Sequence, residues 1–170
     1  LSLGIIFGTS YSFGAFFAAI SESFQAKRAD ISLMFGLAGF LYFIAGAGGG
    51  IAAVRFGPRI VSSCGMVLLG LGAMAASQAE TLQEICWSYG LGIGLGVALV
   101  YTPVMGAVPP WFTTKRSLAS GIASAGIGLG TLLIPPLVSF GIANFEWRAT
   151  MFYLGLSAML LGLADRKSTR

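Results

Sequence analysis

The chain has 170 residues, of which 10 are Lys or Arg and 6 are Asp or Glu, while 56% are hydrophobic and the mean hydropathy is +0.85. Charged residues make up 9% of it, against roughly 25% in a water-soluble domain, which excludes a globule wetted on all sides. It contains no histidine, which removes Ser-His and Cys-His catalysis, imidazole zinc sites and histidine proton relays.

The chain opens Leu1-Ser2-Leu3 without an initiator Met, so no signal peptide is legible and further residues are expected before Leu1. A bilayer core of about 30 Å takes ~20 apolar residues as helix. The first such run is Leu3 to Ser21, which holds Ser10, Tyr11 and Ser12. A connection with Glu22, Lys27, Arg28 and Asp30 leads to the second, Ile31 to Val54, with Tyr42 and a Gly46/Gly50 pair. Arg55-Phe56-Gly57-Pro58-Arg59 reads as a tight turn before the third run, Ile60 to Ser77. After Glu80 and Glu84 comes Ile85 to Val108, glycine-rich at first and then carrying Tyr101, Thr102 and Pro103. Trp111 to Ser117, with Lys115 and Arg116, precedes Leu118 to Ile142, which holds Ser124, Pro135 and Pro136. Glu146-Trp147-Arg148 introduces the last run, Ala149 to Ala164. None of the six contains Asp, Glu, Lys or Arg. The expected fold class is therefore an all-α membrane protein with six transmembrane helices. A β-barrel would alternate apolar and polar residues over about 10 positions, and Met66 to Ala76 does not.

Charge divides by the parity of the connections. Arg55, Arg59, Lys115, Arg116, Arg166, Lys167 and Arg170 fall on one side, and only Lys27, Arg28 and Arg148 on the other. By the positive-inside rule the side with seven is cytosolic, and both ends of the chain are expected there. Basic residues placed this way set topology, so nucleic acid is not an expected partner. Cys64 and Cys86 lie in or beside apolar runs, where a thiol behaves as a small hydrophobe. Gly46/Gly50, Gly90/Gly94, Gly92/Gly96 and Gly126/Gly130 each have the spacing that lets two membrane helices approach closely. A dinucleotide loop would need a preceding strand and a later acidic residue, and neither is present. Six helices in two groups of three allow an inverted 3+3 arrangement. Pro103, Pro109, Pro110, Pro135 and Pro136 are expected as kinks, and Trp87, Trp111 and Trp147 as interfacial anchors.

The turn from Gly50 through Arg55, Gly57 and Arg59 resembles the major facilitator signature between the second and third helices, with Val54 where an acidic residue usually stands. Ser10 to Phe17, Tyr101-Thr102-Pro103, Trp111 to Gly126 and Glu146-Trp147-Arg148 resemble the monocarboxylate transporters and their bacterial oxalate/formate antiporter relatives. Nearly the whole chain shares this likeness. The resemblance implies a six-helix bundle over residues 1–170, the N-terminal half of a twelve-helix transporter whose C-terminal half is absent. It implies a cytosolic gate at Gly50, Arg55, Gly57, Arg59, Lys115 and Arg116, although the charged turns serve equally as topology determinants. Tyr11 falls where these transporters place a substrate-facing tyrosine, and Thr102 where they place a polar residue before the fourth-helix proline. Ala15 stands where some members carry a pore lysine.

An anion at the bilayer midplane requires donors or positive charge, since leaving it unpaired costs on the order of several kcal/mol. These spans supply neutral donors, and the expected substrate-binding set is Tyr11, Tyr42, Tyr101, Thr102 and Ser124. Each has a structural alternative: tyrosines near helix ends join aromatic belts, and hydroxyls in helices bond their own i−4 carbonyl. The expected function is secondary transport of a small organic anion, a monocarboxylate, by alternating access, with a proton or counter-anion as coupling partner and the lipid bilayer as host. No cofactor, metal or enzymatic activity is expected, and the expected location is a bacterial inner membrane. A non-transporting membrane scaffold, or a carrier of sugar or drug on the same fold, fits the same residues.

Overall fold

The computed structural model describes residues 2–111 and 116–167, and its elements are all helices: α1 (Ser2–Tyr11), α2 (Phe13–Phe24), α3 (Arg28–Phe56), α4 (Pro58–Gln78), α5 (Leu82–Trp111), α6 (Arg116–Phe145) and α7 (Trp147–Lys167). α1 and α2 together form one crossing, Leu3–Phe24, so the seven elements make six helices long and apolar enough to cross a membrane. The chain is an integral multi-pass membrane protein. Each helix runs beyond its apolar stretch, α3 for example from Arg28 to Phe56 where the hydropathy reads Ile31 to Val54. Most of the extra turns carry polar or charged residues, as suits helix ends at a headgroup layer.

The break at Ser12 is local. Its backbone stays right-handed helical (φ −68°, ψ −7°), and its hydroxyl donates to the Gly8 carbonyl at 2.6 Å. The Ala15 N–H turns to the Ser12 carbonyl at 3.0 Å, an i→i+3 tightening that such a side-chain bond commonly accompanies. α6, by contrast, runs through Pro135 and Pro136 as one helix.

The connections are as short as the sequence suggests. Gly57 alone joins α3 to α4: its N–H closes α3 on the Ala53 carbonyl at 2.9 Å, and its carbonyl opens α4 by accepting the Val61 N–H at 3.3 Å. Its φ of +87° is open to glycine at little cost, and Pro58 takes the first helical position, where no N–H is needed. α5 begins with a reciprocal cap in which the Thr81 hydroxyl accepts the Glu84 N–H at 3.2 Å. The Glu84 carboxylate in turn accepts the Glu80 N–H at 2.9 Å.

α5 lies at the centre, packed against α3 on one side and α4 on the other, with α7 against α4 and α6 against α1. The pairing of α3 with α5 is thus echoed by α6 with α1, as two three-helix units related by a two-fold would require. Glycines make these approaches. A Cβ at Gly72 of α4 would fall on Gly92 of α5, and one at Gly130 of α6 would fall on the backbone of Gly4 in α1. α5 has two such faces: Gly92 and Gly96 meet α4, whereas Gly90 and Gly94 meet Leu37 and Ala38 of α3.

At the α2 and α7 ends the structure corrects one expectation. Trp87 is exposed as an anchor should be, but Trp147 is only 7% exposed and its indole N–H donates to the Ser23 hydroxyl at 2.8 Å. The side chain of Arg148 beside it satisfies the Ser77 and Ala79 carbonyls at 3.0 and 2.8 Å, so this corner is interior packing.

Candidate functional site

Three crossings that pack side by side leave a gap wherever glycine or alanine replaces bulk. Between α1, α3 and α5 the small residues Ala38, Gly39 and Gly94 open a cavity of about 260 Å³. Tyr11, Phe35, Tyr42 and Phe43 line it from the two outer helices, and Tyr89 from α5. None of its lining residues is charged. Its tyrosines are linked through neighbouring rings: Phe7 stacks with Tyr11 at 6.3 Å and meets Tyr101, behind the wall, edge-on at 5.4 Å, and Tyr101 meets Tyr42 at 5.9 Å. Such a wall is apolar in area and presents hydroxyls at a few points, the usual make-up of a small-molecule site.

The structure brings together three of the five expected substrate residues. Tyr11, 61% exposed, and half-buried Tyr42 line the cavity, and Tyr101 packs on both Phe7 and Tyr42. Thr102 lies apart from them. Its side chain sits over the Gly46/Gly50 notch of α3, with its hydroxyl 3.5 Å and its methyl 3.3 Å from where Cβ atoms on those glycines would be. Ser124 is exposed on α6 and does not line the cavity.

The residues expected at the gate form a separate feature. Gly57 and Arg59 line a shallow surface groove of about 500 Å³ with Phe56, Pro58 and Ile60. The Arg55 guanidinium lies 5.6 Å over the Phe56 ring, and Val54 beside it is 91% exposed. Gly50 faces Thr102 inside the bundle and takes no part in this groove. Arg116 opens α6, while Lys115 falls outside the described residues.

Sequence reading missed Tyr89, which is 1% exposed and packs its ring 5.4 Å from that of Phe13. One signal could have found it: Tyr89, Ile93 and Val97 recur every four residues on one stripe of α5, beside the Gly90/Gly94 face that admits α3.

A sequence profile described as Major Facilitator Superfamily matches residues 1–165. The chain belongs to this superfamily. Among curated relatives it is similar to monocarboxylate transporter 13 of Rattus norvegicus, 32% identical over 159 residues that cover 94% of this chain and 37% of the relative. It is also similar to monocarboxylate transporter 11 of Mus musculus, 32% identical over 152 residues, 89% of this chain and 34% of that one. The chain thus spans little more than a third of the length of these relatives. Among solved structures, the inward-open xylose transporter XylE of E. coli superposes with a TM-score of 0.81 at 16% identity, covering 98% of this chain and 46% of that one. That likeness establishes the six-helix major facilitator fold. The superfamily places the chain with membrane transporters and not with enzymes.

Proposed function

We propose that this chain is the N-terminal half of a secondary transporter that carries a small organic anion, a monocarboxylate, by alternating access. The cavity between α1, α3 and α5 carries the proposal: it is lined by Tyr11 and Tyr42, with Tyr101 packed behind Tyr42, and is sized for a small molecule. The names of the relatives support the substrate class. The cavity walls are neutral, so the cation for a carboxylate, and the coupling proton or counter-anion, belong to a second bundle facing this one. That bundle sits over the cavity mouth, flanked by α3 and α6, the crossings with the least buried surface. The seven-to-three bias of Lys and Arg supports an orientation with both ends of the chain in the cytosol. The compared relatives are animal proteins, so the proposal carries no assignment to a bacterial membrane.

Uptake of labelled carboxylate into proteoliposomes bearing the full-length protein tests this. Tyr42→Ala and Tyr11→Ala together should reduce uptake at least tenfold with the protein still folded. Unchanged uptake in the double variant removes the site, uptake of sugar without acid removes the substrate class, and no uptake of any solute favours a scaffold.

A further inference from the structure

Two of the cavity's lining residues hold hydroxyls that the fold leaves unused. The Tyr89 Oη and the Ser10 Oγ are both shut off from solvent, and neither has a hydrogen-bond partner among the described residues. Thr9 Oγ1, which does not line the cavity, is also without a partner among the described residues, whereas the hydroxyl of Ser12 bonds its i−4 carbonyl, as do those of Ser62 and Thr150. A buried hydroxyl without a partner destabilises the state that holds it, and inside a membrane no bulk water relieves it. A phenylalanine at position 89 would fill the same space without that penalty. The rings next to Tyr89 close it in: Phe13 lies 5.4 Å away, and Phe35 stacks on Phe13 at 5.0 Å between α2 and α3.

We infer that Tyr89 and Ser10 form a polar subsite behind the cavity wall, opened when the Phe13–Phe35 stack parts, which binds a neutral hydroxyl or carbonyl oxygen of the transported acid. This rests on the proposed carboxylate transport and assigns the half of the substrate that the missing cation does not hold. The chemistry fits one end of the substrate only. A phenol and an alcohol can each donate and accept with a neutral oxygen, whereas a carboxylate on this wall would lack a countercharge. Tyr89 and Ser10 are accordingly specificity-determining residues that separate acids with a second oxygen from acids without one.

Acetate and hydroxyacetate differ by that one oxygen. Full-length protein in proteoliposomes should take up labelled hydroxyacetate in preference to acetate. Tyr89→Phe should lower that preference about three- to tenfold, read as the ratio of hydroxyacetate to acetate uptake by the same protein. Ser10→Ala should move the ratio the same way. In detergent without substrate, Tyr89→Phe should melt at or above the wild-type temperature, since it removes an unpaired hydroxyl. A wild-type preference ratio in both variants overturns this inference alone, as does a lower melting temperature for Tyr89→Phe, which would show a structural partner for the hydroxyl. A wild-type protein that takes up neither acid overturns the carboxylate reading and this subsite with it.

Discussion

Arg148 shows how far one side chain can hold separate crossings together. Its guanidinium lies 4.7 Å over the Trp147 ring and 5.8 Å over that of Phe24, and donates to the two carbonyls left free where α4 ends. A cation at a helix C-terminus also meets the negative end of the helix dipole. The charge pattern showed only a basic residue on the less basic side, because its partners, Ser77 and Ala79, lie some seventy residues earlier and carry no signal of their own. Arg148→Ala should lower stability by about 2 kcal/mol, the sum of a charged hydrogen bond and a cation–π contact. Arg148→Lys should recover only part of that, since an ammonium cannot span both carbonyls from a planar fork while lying flat over two rings. Thermal melting in detergent distinguishes these outcomes. Equal melting temperatures for wild type and Arg148→Ala would mean that the corner is held by Trp147 and Ser23 alone.

At the scale of the helix, charge spacing locates the crossings and glycine spacing selects their faces, but neither names the partner. Gly92/Gly96 and Gly90/Gly94 are legible as contact pairs along α5, and their offset of two residues already places them on opposite sides of the helix. That one side meets α4 and the other α3 follows only from the fold. The single glycines Gly70 and Gly155 escape the four-residue spacing, yet they meet where α4 crosses α7, while Gly4 and Gly8, which do have that spacing, carry the α1–α6 contact. The Thr81–Glu84 cap likewise leaves no trace in the long apolar runs. These contacts have measurable weight. Gly72→Ala places a methyl group on Gly92, where backbone meets backbone and no side chain can give way. It should sharply reduce the yield of folded protein. Gly128→Ala and Gly106→Ala, with nothing within 4 Å of the new Cβ, should leave yield and melting temperature unchanged. Comparable behaviour across the three variants would show that α4 and α5 approach less closely than this.

For the whole molecule the sidedness proposed from charge is open to direct measurement. Pro58→Cys, in the turn between α3 and α4, should react with a membrane-impermeant thiol reagent only from the cytosolic face. Glu80→Cys, before α5, should react only from the opposite face. The background needs Cys64 and Cys86 replaced by Ala or Ser, since Cys64 is exposed on α4 and would report on its own. Reaction of both from one side would invalidate the positive-inside assignment, because a single crossing, α4, separates them.

The same labelling separates a transporter from a scaffold built on an identical bundle. A scaffold has no reason to keep water in the gap between α1, α3 and α5, whereas a carrier wets it in at least one state of its cycle. Tyr42→Cys and Tyr11→Cys, on the cavity wall, should therefore react with a water-soluble reagent, and a carboxylate substrate should slow that reaction by occupying the space. Tyr153→Cys on α7 provides the contrast. Tyr153 is 64% exposed but does not line the cavity, so a cysteine there faces lipid and should react slowly with or without substrate. The decisive quantity is the ratio of protection at position 42 to that at position 153. A ratio near one would mean that substrate does not enter this cavity, even if the full-length protein transports, and the binding site would then have to be sought at Thr102 and its glycine notch on α3.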